Sequence, residues 1–167
     1  MRKNATLLLL LTVLTGCYQK APQIPSYRSG QSSTGDTSLL QAIEINRHLA
    51  EEADRQLARS VHEGYALTET GYWAKGLRYE ESPLQEGQQV QLHLQVYQTD
   101  STLLTDDRMT VTVGRTELPD AVTDALLQMN PRQQASLLVP WYLGYGSTGT
   151  PHVPPYTNLR IELETTP

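Results

Sequence analysis

Leu137-Leu138-Val139-Pro140-Trp141-Tyr142-Leu143-Gly144-Tyr145-Gly146 runs through Ser147-Thr148-Gly149-Thr150-Pro151-His152 into Val153-Pro154-Pro155-Tyr156-Thr157-Asn158. It then closes on Leu159-Arg160-Ile161-Glu162-Leu163. The opening residues, Ser136 to Pro140, form an apolar run that ends at a proline. Proline has no N–H to give a strand ladder, so a strand stops there. The glycines and prolines that follow are the residues of a long loop. The last block alternates, with Leu159, Ile161 and Leu163 on one face and Arg160 and Glu162 on the other. Strict alternation marks a strand that covers a core on one side only.

The same texture extends back to Tyr65. Tyr72 to Tyr79 reads as a strand, followed by a turn from Ser82-Pro83 through Glu86-Gly87. Between Gln88 and Gln98, Val90, Leu92, Leu94 and Val96 alternate with Gln91, His93, Gln95 and Tyr97. After a turn at Thr99-Asp100-Ser101, Met109, Val111 and Val113 alternate again. Leu118, Val122, Ala125, Leu126 and Met129 recur at helical spacing, and Asn130-Pro131 ends that helix. One short helix among antiparallel strands predicts an α+β domain over residues 65–167.

Ahead of it, Leu39, Ile43, Asn46, Leu49, Ala50, Ala53, Leu57 and Val61 form a stripe at three- and four-residue steps. This predicts an N-terminal helix over 38–64, with Gly64 at its stop. The stripe serves either packing against the domain or docking of a partner. Residues 18–37 are rich in Pro, Ser, Gly and Gln without apolar periodicity, and read as a flexible tether. At the start, Arg2 and Lys3 precede an apolar run from Ala5 to Leu14. A spanning helix needs roughly 20 apolar residues, so this shorter run reads as a secretory signal over 1–16. Leu14-Thr15-Gly16-Cys17 resembles the lipobox of bacterial lipoproteins, in which the Cys is lipidated and becomes the first mature residue. Cys17 is thus the expected lipidation site, at the head of a lipidated tether, 17–37. Each buried methylene contributes ~0.8 kcal/mol, and more than one acyl chain makes a durable anchor. The expected location is the outer membrane, facing the periplasm.

The 167 residues carry a formal net charge of −5, with one Cys, no Phe, nine Tyr and two Trp. A single Cys excludes an intramolecular disulfide and any multi-Cys metal site. Net acidity excludes sequence-independent nucleic-acid binding, which needs a basic face. His48, His62, His93 and His152 lack metal-ligand spacing, and no metal or cofactor is expected. Asp106-Asp107, in a polar turn-like stretch, reads as solvated rather than catalytic.

The order of strand, proline, Tyr-Gly loop, apolar-Pro-Pro step and final alternating strand resembles the closing segment of FKBP-type peptidyl-prolyl isomerases. The resemblance spans about residues 65–164 and implies an antiparallel sheet wrapped around one short helix, 118–129. A closer likeness is to lipid-anchored isomerase-like proteins of the Bacteroidetes, including those associated with gliding motility. These carry a preceding helix and a Thr-x-Thr-Gly-aromatic-aromatic lead-in, here Thr68-Glu69-Thr70-Gly71-Tyr72-Trp73.

Turning a prolyl bond costs ~18–20 kcal/mol because amide resonance is lost. A dry apolar pocket favours the twisted, less charge-separated form, and one donor can hold the substrate carbonyl. By the resemblance, Tyr145 is that donor, although its hydroxyl could equally serve its own loop. Leu118, Val153 and Ile161 stand as pocket walls, Leu94 and Leu104 replace wall aromatics, and Val122 stands where many members place a floor Trp. Thr105 replaces an Asp, and Pro119 removes a backbone N–H that normally bonds substrate. His152 falls at the rim, in a loop one residue shorter than in the best-known members. An aliphatic pocket with one Tyr implies weak or lost isomerase activity. The expected partners are proline-containing segments of secreted or outer-membrane proteins. The alternatives are an inactive accessory subunit of an outer-membrane, secretion or gliding assembly, and a small-molecule pocket.

Overall fold

The computed structural model describes residues 32–77 and 83–166, with side chains from Thr37 onward. The signal segment, Cys17, most of the tether and Tyr79 lie outside the described residues. The chain divides into two compact units, Met1–Leu39 and Leu40–Pro167. Helix α1 (Ser32–Ser60) runs from the first unit into the second. Strands β1 (Ala66–Leu67), β2 (Trp73–Lys75), β3 (Gln89–Gln98) and β4 (Leu103–Thr112) follow. Helix α2 (Asp120–Gln128), β5 (Gln134–Val139), a 3-10 turn (Trp141–Leu143) and β6 (Leu159–Thr166) complete the chain.

The six strands form one sheet in the order β1-β2-β5-β6-β3-β4, antiparallel throughout. Register aligns the apolar positions into rows. Ala74 faces Leu137, Leu137 faces Ile161, and Ile161 faces Val96. All four are buried, and a one-residue slip of any strand would turn its share of the row to water. Val122, Ala125 and Leu126 of α2 join that face in one core, as the stripe in the sequence predicts.

Several boundaries differ from expectation, and the strand read over Tyr72 to Tyr79 is confined to Trp73–Lys75 among the described residues. Helix α1 begins at Ser32 rather than Ser38, because extending a formed helix through polar residues costs far less than nucleating one. It ends at Ser60, whose hydroxyl donates back to the Gln56 carbonyl at 3.2 Å. Helix α2 is shorter than 118–129, because Pro119, with φ −52° and ψ 144°, is already its N-cap. Strand β4 includes Asp106 and Asp107, which the sequence places in a turn-like stretch. An outermost strand tolerates charges, and they protect its free edge.

The lead-in Thr68–Trp73 has a structural role. Thr68 and Tyr72 close a tight loop through Thr68 N to the Tyr72 carbonyl at 2.9 Å, with Gly71 at φ +102°. Three donors then meet one carboxylate oxygen of Asp124 on α2: the Tyr72 hydroxyl at 2.8 Å, Thr70 Oγ1 at 2.9 Å and Gln128 Nε2 at 2.8 Å. Tyr72 is fully buried, so its hydroxyl needs this partner, and the bonds fix α2 against the start of the domain.

Candidate functional site

A concavity of about 420 Å³ opens where the start of α2 meets the 3-10 turn and the loop after it. Leu118 and Pro119 form one side, and Tyr142, Tyr145, Gly146 and Thr150 the other. Glu117 and Asp120 add carboxylates to its lining. The local sequence builds both sides. Pro119 cannot continue a helix toward its own N-terminus, so α2 starts below the opening. The 3-10 turn closes through Leu143 N to the Pro140 carbonyl at 3.0 Å. Gly144 N and Gly146 N both donate to the Trp141 carbonyl, at 3.1 and 2.9 Å, which hooks the chain back on itself.

Beyond Tyr145 the loop is pinned by its own backbone. Gly149 N donates to the Tyr145 carbonyl at 3.1 Å, Thr150 N to the Val153 carbonyl at 2.8 Å, and Tyr156 N to the Gly146 carbonyl at 3.1 Å. Thr150 Oγ1 accepts from Val153 N at 3.0 Å. Tyr145 is half-buried against the core, and its hydroxyl has no hydrogen-bond partner among the described residues. Burial first, and then the nearby Asp107 carboxylate, hold its phenol above the usual value of 10.0. It therefore remains a neutral donor throughout the ordinary pH range.

Of the residues expected to line the site, the structure brings two to the concavity, Tyr145 and Leu118. Leu94, Val122, Val153 and Ile161 are buried in the core beneath it, at 3% exposure or less, and are not among its lining residues. Leu104 is partly buried against the core. The ladder explains this: Val96 pairs with Thr105 and Tyr97 with Leu103, so Leu104 is the extra residue of a β-bulge. Thr105 Oγ1 is buried without a hydrogen-bond partner among the described residues. His152 is exposed, and its backbone N–H donates to Thr150 Oγ1.

Among the lining residues that sequence reasoning missed are Tyr142, Glu117, Asp120 and Thr150. For Tyr142, the signal available in the sequence was a second Tyr just ahead of the Tyr-Gly pair that opens the loop. Asp106 takes no part. It accepts from His93 Nε2 at 2.7 Å and Gln95 Nε2 at 2.8 Å, the bonds that hold its carboxyl below the usual range, with Gln95 contributing most. Asp107 pairs with inward-facing Leu94 instead, which is how its charge reaches Tyr145. Among the described residues, no group of three or more His, Cys, Asp or Glu could hold a metal ion. None of their helices is long and apolar enough to cross a membrane.

Residues 80–165 match the family model of the FKBP-type peptidyl-prolyl cis-trans isomerases. The chain belongs to that family. Solved structures agree on the fold of this FKBP-type chain. It superposes on FkpA from Escherichia coli with a TM-score of 0.57 and 16% identity, covering 83% of this chain and 74% of that one. A peptidyl-prolyl cis-trans isomerase from Pseudomonas syringae pv. tomato gives 0.60 at 17% identity, covering 72% and 93%. The N-terminal domain of FKBP42 from Arabidopsis thaliana gives 0.54 at 18%, covering 63% and 91%. A search of curated proteins gives no match. Within this FKBP-type domain, the concavity is lined by the carboxylates of Glu117 and Asp120 as well as by apolar side chains, and it is served by one unengaged phenol.

Proposed function

We propose that this chain is a slow FKBP-type peptidyl-prolyl cis-trans isomerase, anchored by lipid at Cys17 to the outer membrane and facing the periplasm. Its substrates are proline-containing segments of secreted or outer-membrane proteins, for which it acts as a folding catalyst. The observation that carries this reading is the free, neutral Tyr145 hydroxyl on the wall of an apolar-sided concavity. A donor already partly desolvated loses less water on meeting a carbonyl, and the bond is stronger there than in bulk solvent. Leu118 and Pro119 give the prolyl ring an apolar surface. Pro119 gives no N–H, so Tyr145 carries the carbonyl contact alone, and slow turnover follows.

The test is a protease-coupled assay on a prolyl peptide with the purified full chain. The wild type is expected to accelerate isomerisation, and Tyr145→Phe to reduce kcat/KM by about fivefold, the loss of one neutral hydrogen bond. No acceleration by the folded protein overturns the enzyme reading.

The anchor has its own expected outcome. The wild type is expected to take up a labelled fatty acid and Cys17→Ser to take up none, because the thiol is the site of acylation. Absence of label from the wild type would rule the lipid out as the anchor.

A second reading, an accessory subunit of an outer-membrane, secretion or gliding assembly, is favoured by one observation. Leu40 and Ile43, three residues apart on one side of α1, are each more than half exposed, whereas Ala53 and Leu57 further along are buried. An apolar helix face left in water is a surface suited to another protein.

A further inference from the structure

The 3-10 turn that carries Tyr142 is held from outside the domain's sheet, by α1. The Tyr142 hydroxyl donates to Asp54 Oδ1 at 2.6 Å. The Trp141 indole N–H points at the Leu49 carbonyl at 3.5 Å. Asn158 links the two elements: its side-chain N–H donates to Gln56 Oε1 at 3.4 Å while its Oδ1 accepts from Trp141 N at 3.1 Å. Trp141 itself packs edge-on against both Tyr142 and Tyr156, with ring centroids 5.6 and 4.8 Å apart. Ala53 and Leu57 are the buried residues of α1 in this stretch.

The bond to Asp54 differs from the others because it is short, has a carboxyl oxygen as acceptor and ends on a pocket residue. Hydrogen bonds to a carboxylate are roughly twice as strong as neutral ones. It also fixes direction, since a tyrosine held at its ring and at its hydroxyl keeps one rotamer. From Tyr142 the constraint passes to Tyr145 through backbone hydrogen bonds: one carbonyl, that of Trp141, receives the N–H groups of both Gly144 and Gly146, the neighbours of Tyr145.

We propose that Asp54 is a positioning residue for the pocket, holding Tyr142 and, through the 3-10 turn, the Tyr145 phenol in place for substrate. The helix ahead of the domain is then part of the site's construction. This rests on the prolyl-binding reading of the concavity, and two separate readouts distinguish them.

The variants are Asp54→Ala, Asp54→Asn and Tyr142→Phe in the full chain. The first readout is the amide resonances of Gly144, Gly146 and Gly149. The second is the dissociation constant of a proline-containing tetrapeptide. Asp54→Ala and Tyr142→Phe are expected to shift all three resonances and weaken binding by about fivefold each, with no further loss when combined, because both delete one bond. Asp54→Asn keeps an acceptor oxygen and stays within about twofold of wild type. A bond that merely docks the helix would leave the tetrapeptide dissociation constant unchanged in Tyr142→Phe. If Asp54→Ala undocks the helix, Tyr142→Phe still removes the bond with α1 untouched. Glycine resonances and binding unchanged in Tyr142→Phe overturn the proposal. Shifted resonances in a protein whose wild type binds no prolyl peptide overturn the prolyl reading and leave the positioning intact.

Discussion

Gly149→Ala is expected to destabilise the domain by about 3 kcal/mol and to lower prolyl turnover by about fivefold, as much as loss of the Tyr145 hydroxyl itself. Gly149 has φ +64°, a conformation L side chains rarely adopt. A Cβ placed there would lie 2.3 Å from the Val153 carbonyl oxygen, 2.8 Å from Pro155 N and 2.9 Å from Pro154 C. All three are backbone atoms, and two belong to prolines whose φ is fixed, so nothing nearby yields cheaply. Relief requires the loop to open. That breaks the Thr150–Val153 and Gly149–Tyr145 backbone bonds and releases Tyr145 from its place. Gly146→Ala in the same loop separates strain from clash. Its φ is +71°, but a Cβ there meets nothing within 4 Å, so the cost is the conformational one alone, about 1 kcal/mol. Urea titration and the protease-coupled assay measure both variants. A Gly149→Ala protein as stable and as active as Gly146→Ala would show that the loop does not hold the phenol.

The sheet was legible in the sequence because its inner face alternates without interruption. Val90 to Val96 and Leu159 to Leu163 have period two, and every one of those apolar positions is buried. Helix α2 was legible for the matching reason. Strand β4 was read only in part, since Thr105 to Arg108 has no apolar alternation to show, and its pairing with β3 decides the structure there. The bulge at Leu104 has no local signature, so which way that side chain points depends on register. The site was less legible than the fold. Leu94, Val122, Val153 and Ile161 occupy family wall positions, but how deep a pocket reaches depends on how small side chains pack together. Here they close the core beneath the opening. The Tyr142–Asp54 bond joins residues 88 positions apart, and no local pattern announces such a pair.

Ile161→Ala decides whether the pocket floor is filled. Ile161 lies mid-strand in β6, between Val96 on one side and Leu137 on the other, and is fully buried. Truncating it removes three carbons from a row in which each neighbour is also buried and cannot move in without breaking register. The expected cost is about 3–4 kcal/mol, the transfer loss plus the void left behind. Its expected effect on prolyl-peptide affinity, measured on the folded fraction, is less than about twofold, since loss of packing away from the ligand contributes chiefly to stability. Leu118→Ala should behave in the opposite sense. Leu118 is only partly buried and lines the concavity, so its truncation costs roughly 1 kcal/mol of stability and weakens binding several-fold. Chemical denaturation and titration with a prolyl peptide give both numbers for each variant. If Ile161→Ala weakened binding as much as Leu118→Ala did, the ligand would have to reach the sheet itself. Val122 and Val153 would then be walls that part on binding, and the core beneath the opening would not be closed to the ligand.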